Sequence, residues 1–162
     1  MQDSDVPYEM IVAYDNNPVA NAVYKHNFGF FPTSVNLEHL PIAHFDRLKA
    51  DCWLLSPPCQ PYTRGGKLLD DQDTRAAGLL HLIDVLGKMS EPPRYIFLEN
   101  VLNFEKSRSR NKLVKTLAER GYRVREFLVT PNDLWVAIPN DRLRYYLAVL
   151  TFLLSRTVKF VG

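Results

Sequence analysis

Apolar and polar positions follow two rhythms along the chain. Short apolar runs bounded by polar or turn-forming residues predict buried strands at EMIVAY (9–14), CWLLS (52–56), RYIFLEN (94–100) and YYLAVL (145–150). YRVREFLV (122–129) alternates with a period of two and predicts another strand, and a weaker run predicts one near Thr33 to Leu37. Between these lie helical spacings. In NNPVANAVYKHNFG, Asn16 or Asn17 reads as a cap and Pro18 as the first turn; Val19, Ala22 and Val23 recur on one face, and Gly29 is the stop. From Asp73 or Thr74, the residues Ala76, Leu79, Leu80, Ile83 and Leu86 share a face. In SRNKLVKTLAERG, Leu113, Val114, Leu117 and Ala118 point inward before Gly121. The polar, glycine-bearing TRGGKLLDDQ reads as a mobile loop.

Strands alternating with helices predict an α/β fold with a mostly parallel sheet, whose chemistry belongs at the carboxyl ends of the strands. Asp15, the stretch Ser56 to Cys59, and Glu99 with Asn100 each lie just past or at the end of a predicted strand. Three polar sites at one edge amount to a pocket. The 162 residues suit one domain or part of a larger one, and an apolar fraction of 46% is enough to build a core.

The formal charge of +2 does not by itself announce a nucleic-acid protein. Positive residues do gather between Lys106 and Arg125, either as solvated faces or as a grip for a polyanion. Two cysteines make neither a disulfide framework nor a zinc site. Cys52, inside an apolar run, reads as a core residue. His26, His39, His44 and His81 lack metal-ligand spacing, so no metal is expected. Neither a signal peptide nor a bilayer-length apolar run is recognisable, so a cytoplasmic or nuclear, reducing setting is the expectation.

The most informative stretch is SPPCQPYTR (56–64). Proline fixes φ, removes a backbone donor and drives its predecessor extended. A cysteine among prolines at a strand end is therefore held in one direction, as a nucleophile needs. A proline-flanked loop is also a poor place to bury a structural thiol. SPPCQPYTR, then FLENV (97–101), then IPNDRLRYYL (138–147), in that order, resemble the cytosine-C5 methyltransferases. They are most similar to the DNA methyltransferase homologue 2 family, which methylates a cytosine in the anticodon loop of aspartate tRNA. The similarity extends over most of residues 9–150, including AYDNNPVANAVYKHNF and FDRL.

The resemblance implies a Rossmann-like sheet that uses S-adenosylmethionine to methylate C5 of cytosine through a covalent cysteine adduct. It implies Cys59 as the nucleophile that adds at C6, and a thiolate is the reactive form. Glu99 would donate a hydrogen bond or proton to cytosine N3, unless it caps a helix or pairs with an arginine. Arg144 would contact O2. Arg142 would buttress the cysteine loop or form a structural ion pair. Asn100 would order the turn. For the methyl donor, the resemblance points to Asp15 on the ribose hydroxyls, with a plain helix-start acid as the other reading. Asn36 and Leu37 would meet the adenine edge, and Ser56 would lie where the donor pocket meets the cysteine loop.

The partner implied is tRNA, with its target base extruded into the pocket and phosphates on residues 108–115. A DNA cytosine-C5 methyltransferase shares the same reactive residues and is the alternative, as is a truncated, non-catalytic protein that binds RNA or a partner. The pattern also departs from the family. Its opening strand and Phe-x-Gly-x-Gly-Gly turn, and its target-recognition region, have no counterpart here. Residues 1–150 therefore read as a partial catalytic domain and 151–162 as a tail that does not match. Loss of the opening strand predicts an unpaired neighbour at the centre of the sheet.

Overall fold

A computed structural model describes residues 6–63, 69–134 and 140–150, and the backbone of 158–161. The elements are β1 (Tyr8–Val12), α1 (Pro18–Phe28), α2 (Ile42–Leu48), β2 (Cys52–Leu55), α3 (Ala77–Lys88), β3 (Tyr95–Val101), α4 (Arg108–Glu119), β4 (Arg123–Val129), β5 (Arg144–Leu150) and β6 (Val158–Val161). The strands form one sheet in the order β1-β6-β2-β3-β5-β4. Neighbours from β1 through β3 run parallel, whereas β5 runs antiparallel to both β3 and β4. The mixed but mostly parallel α/β sheet is the expected class.

The direction of β5 matters for the site. Register pairs Val101 at the end of β3 with Arg144 at the start of β5. The first residue of the antiparallel strand thus reaches the edge where the parallel strands finish. Leu79, Leu82, Ile83 and Leu86 of α3 share one buried cluster with Leu113 and Leu117 of α4 and with Trp53, Ile96, Leu98 and Leu147 of the sheet. Removing one such leucine side chain costs about 2–5 kcal/mol. The opposite face of the β3–β5–β4 half carries Phe97 and Tyr146, with rings 5.7 Å apart. Phe97, Phe127 and Leu150 are exposed.

Local signals account for most boundaries. Asn17 caps α1, its side chain accepting from the N–H groups of Val19 at 2.9 Å and Ala20 at 3.2 Å, and Gly29 ends the helix at φ 86°. Asp73 caps the 3₁₀ turn that leads into α3, and Gly121, at φ 78°, follows α4. No helix among the described residues is long and apolar enough to cross a membrane.

Three expectations are corrected. Val19, Ala22 and Val23 face solvent, and α1 instead turns Ala20, Asn21 and Tyr24 inward. The buried Asn21 amide fixes that rotation by donating to the Asp15 carbonyl at 2.8 Å. Around Thr33 to Leu37 there is a single parallel bridge, Tyr14 to Thr33, and then a 3₁₀ turn (Leu37–His39) rather than a strand. The centre of the sheet is not left open, because β6, from the tail, lies between β1 and β2 and pairs with both. Of the predicted mobile loop at 63–72, residues 64–68 lie outside the described residues, whereas Asp70–Gln72 form a 3₁₀ turn whose carboxylates are bonded to the start of α4. Ile138 and Pro139 of the third motif also lie outside the described residues.

Candidate active site

The β2 ladder ends at Leu55 because Pro57 and Pro58 offer no N–H to continue it. Cys59 follows at φ −85°, ψ −18° and starts a 3₁₀ turn (Gln60–Tyr62), in which the Tyr62 N–H donates to the Cys59 carbonyl at 3.0 Å. The far side of the turn is tied to the core. Tyr62 is buried, and its ring meets Phe104 edge-on at 4.8 Å. Its near side is tied to β3. Asn100, 1% exposed, donates from Nδ2 to the Pro57 carbonyl at 3.3 Å, while its Oδ1 accepts from the Val101 N–H at 2.8 Å. Asn100 therefore orders the cysteine turn, as expected. Cys59 itself is half-buried and reduced.

Beside this turn, Glu99 of β3 meets Arg144 of β5, with Nε 3.0 Å from Oε1. The carboxylate and the guanidinium are thus brought together by the antiparallel register. Arg142 is exposed and has neither a hydrogen bond nor an ion pair to another described residue.

A second cation, not foreseen from the sequence, stands near the cysteine. The 3₁₀ turn Thr74–Ala76 packs against the turn that follows Cys59. Its Arg75 donates to the buried Asp73 through Nε at 2.9 Å and Nη2 at 2.7 Å. These hydrogen bonds to Asp73, supplemented by its charge and that of Cys59, raise the Arg75 pKa above its ordinary value. In the sequence, Asp73 or Thr74 marks only the start of a helical face, and Arg75 carries no signal of its own.

Behind the cysteine turn lies a cavity of about 610 Å³, lined by Tyr14, Asp15, Asn21, Leu37, Ser56 and Pro57 among others. Asp15, Leu37 and Ser56 therefore share one wall system. Asn36 is not among the lining residues, and its Nδ2 donates to Glu38 at 2.5 Å. Asp15 uses Oδ1 to accept from the Asn17 N–H at 2.7 Å, which leaves Oδ2 available to a ligand's hydroxyl. The buried Asn21 Oδ1 has no partner among the described residues. Tyr14 and His44 are hydrogen-bonded at 2.6 Å. Apolar walls with a free carboxylate oxygen at the mouth suit a nucleoside-sized ligand bearing hydroxyls. Among the described residues no cluster of three metal-ligating side chains occurs.

The basic stretch expected to hold phosphates is already matched by carboxylates. Arg108 and Lys112 donate to Asp71, each at 2.7 Å. Arg110 is paired with Glu126, and Lys115 lies 3.8 Å from Glu119. Cys52, by contrast with Cys59, is buried within strand β2, and burial together with Asp51 pushes its thiol up to about 12.

Known proteins resemble this chain in sequence and fold. Residues 2–151 match the model of the C-5 cytosine-specific DNA methylase family. A tRNA (cytosine(38)-C(5))-methyltransferase of Homo sapiens is 43% identical over 148 residues, which is 91% of this chain and 37% of that protein. A DNA (cytosine-5)-methyltransferase of Dictyostelium discoideum is 40% identical over 149 residues, 90% of this chain and 39% of that protein. Among solved structures, the S. pombe Dnmt2 methyltransferase superposes with a TM-score of 0.77 at 31% identity, covering 91% of this chain and 43% of its own. The Entamoeba histolytica methyltransferase EhMeth gives 0.79 at 31% identity, covering 91% and 47%. The chain spans less than half the length of each.

Proposed function

Because the chain belongs to the C-5 cytosine-specific DNA methylase family, we propose that it carries the reactive centre of an enzyme that methylates C5 of cytosine in RNA, in the anticodon loop of aspartate tRNA. The similar proteins named tRNA (cytosine(38)-C(5))-methyltransferase in Homo sapiens and Bos taurus favour RNA as substrate. The observation that carries the catalytic reading is the Glu99–Arg144 pair, set at the sheet edge where Asn100 holds the cysteine turn.

Cytosine C5 is too weak a nucleophile to take a methyl group unaided. The Cys59 sulfur, as thiolate, bonds to C6; the C5–C6 double bond opens and its electrons make C5 enamine-like. Negative charge then develops on the ring, and Glu99 offsets it by donating a hydrogen bond or proton to N3. Arg144, 3.0 Å from Glu99, orients its carboxyl, and its guanidinium would contact cytosine O2. Arg142 would buttress the cysteine loop, although it is exposed and bonded to no other described residue. The target base reaches this site by leaving its stack, which costs less in a loop than in a duplex.

S-adenosylmethionine, when bound, supplies an electrophilic methyl group. Three of the four residues expected to hold it line one cavity: Asp15 would offer its carboxylate to the ribose hydroxyls, Leu37 would border the adenine, and Ser56 would join the donor cavity to the cysteine turn, whereas Asn36 lies off the cavity wall and is bonded to Glu38. Radiolabelled methyl transfer tests the reading. Label is expected in tRNA and not in duplex DNA, and none with Cys59→Ala. Label that survives this substitution overturns the nucleophile, and label in DNA alone transfers the assignment to the DNA enzymes.

A further inference from the structure

Residues 158–161 lie beyond the stretch that matches the family, 2–151, yet they form a central strand. Tyr8 to Met10 pair with Val158 to Phe160 on one side of β6, and Cys52 and Trp53 pair with Phe160 and Val161 on the other. Among the described residues β1 has no other ladder; besides β6 it leads only to the single bridge from Tyr14 to Thr33. Neighbouring strands are spaced at 4.7–4.9 Å, so without β6 the strands β1 and β2 would stand about 9.5 Å apart, too far for any N–H to reach a carbonyl. The connection is long enough to place it there. Residues 151–157 can extend to about 25 Å, against about 14 Å for the three strand spacings from β5 to β6.

What β6 joins are the two walls of the cavity. β1 leads directly into Tyr14 and Asp15, and α1 behind them supplies Asn21 and Tyr24; β2 leads into Ser56 and Pro57. We propose that the tail strand 158–161 is a positioning element that completes the sheet and holds the Asp15 wall in register with the Ser56 wall. The consequence for methyl-donor affinity rests on the function proposed above; the pairing itself does not.

Hydrogen exchange read by mass spectrometry tests the pairing without any activity. In the full chain the amides of Glu9 to Val12 are expected to be protected. In a chain ending at Arg156 they are expected to exchange at least tenfold faster while β3 and β5 stay slow. A peptide spanning residues 151–162, added to that shortened chain, is expected to restore protection. Unchanged β1 protection after the deletion overturns the proposal. If the deletion unfolds the whole chain, Phe160→Pro in the full chain decides. Each N–H of a central strand faces one neighbour or the other, so this substitution removes one ladder bond. Faster exchange confined to β1 and to Cys52 and Trp53 of β2, the residues paired with β6, supports the proposal, and no change or a uniform change overturns it. Calorimetry with S-adenosylmethionine on the same variant is expected to show at least a tenfold weaker affinity. Loss of protection with no donor binding by either form would refute the donor reading and leave the strand assignment standing.

Discussion

Two cysteines seven residues apart have opposite chemistry because one is inside a strand and the other just past it. Cys52 lies in the β2 ladder at 5% exposure, and burial holds its thiol up near 12, so it stays protonated through any ordinary buffer. Cys59 sits beyond two prolines in a turn that cannot rejoin the sheet. Iodoacetamide at pH 8 is therefore expected to modify Cys59 and spare Cys52 until the chain unfolds; tryptic mass spectrometry reads the difference. Native-state labelling of Cys52 would contradict its burial. The turn at Cys59 was legible in the sequence because proline acts locally. Arg75 was not, since its neighbour Cys59 is brought to it only by the packing of two turns.

The helix α4 shows what its basic residues are for. Asp70 caps it from a distant turn, accepting from the backbone N–H groups of Arg108 at 2.5 Å and Ser109 at 3.1 Å, while Asp71 holds the Arg108 and Lys112 side chains. On the other flank, Arg110 and the Tyr145 hydroxyl both donate to Glu126, joining α4 to β4 and β5. Hydrogen bonds from Lys112 and Arg108 lower the Asp71 pKa, and those from Arg110 lower that of Glu126, with a smaller contribution from Tyr145. A carboxyl depressed on folding adds stability above its unfolded pKa and loses it as pH falls through the lower folded value. Acid unfolding should therefore steepen below the ordinary carboxylate range. Because solvent screens this exposed pair, Glu126→Gln is expected to cost about 0.5–1 kcal/mol at pH 7 and to flatten the pH dependence below the ordinary carboxylate range, as followed by urea melts at several pH values. An unchanged slope would contradict the account of this pair. These links span some 16 to 41 positions, and no local pattern exposes them. The basic run could only be read as free charge. Nor could periodicity choose the inward face of α1. Val19, Ala22 and Val23 satisfy helical spacing as well as Ala20, Asn21 and Tyr24 do, and a buried amide bond decided between them.

At the scale of the molecule, one edge of one sheet gathers what the sequence scatters over more than a hundred positions. The parallel strands deliver Asp15, the cysteine turn and Glu99 to that edge, and β5 delivers Arg144 by running the other way. Strand–helix alternation made the class of fold readable. It could not give the antiparallel direction of β5 or the entry of a tail strand at the centre, since both depend on pairing between distant segments. The central claim is that Cys59 and Glu99 together activate a cytosine ring. If the thiolate adds at C6, the enamine-like C5 takes up a solvent proton and can lose its own, so C5 hydrogen exchanges even without a methyl donor. The direct measurement is release of tritium from C5 of cytosine in tRNA incubated with the chain alone. Release is expected, falling by at least about a hundredfold with Cys59→Ala or Glu99→Gln. Release that is absent, or indifferent to both substitutions, would contradict the account.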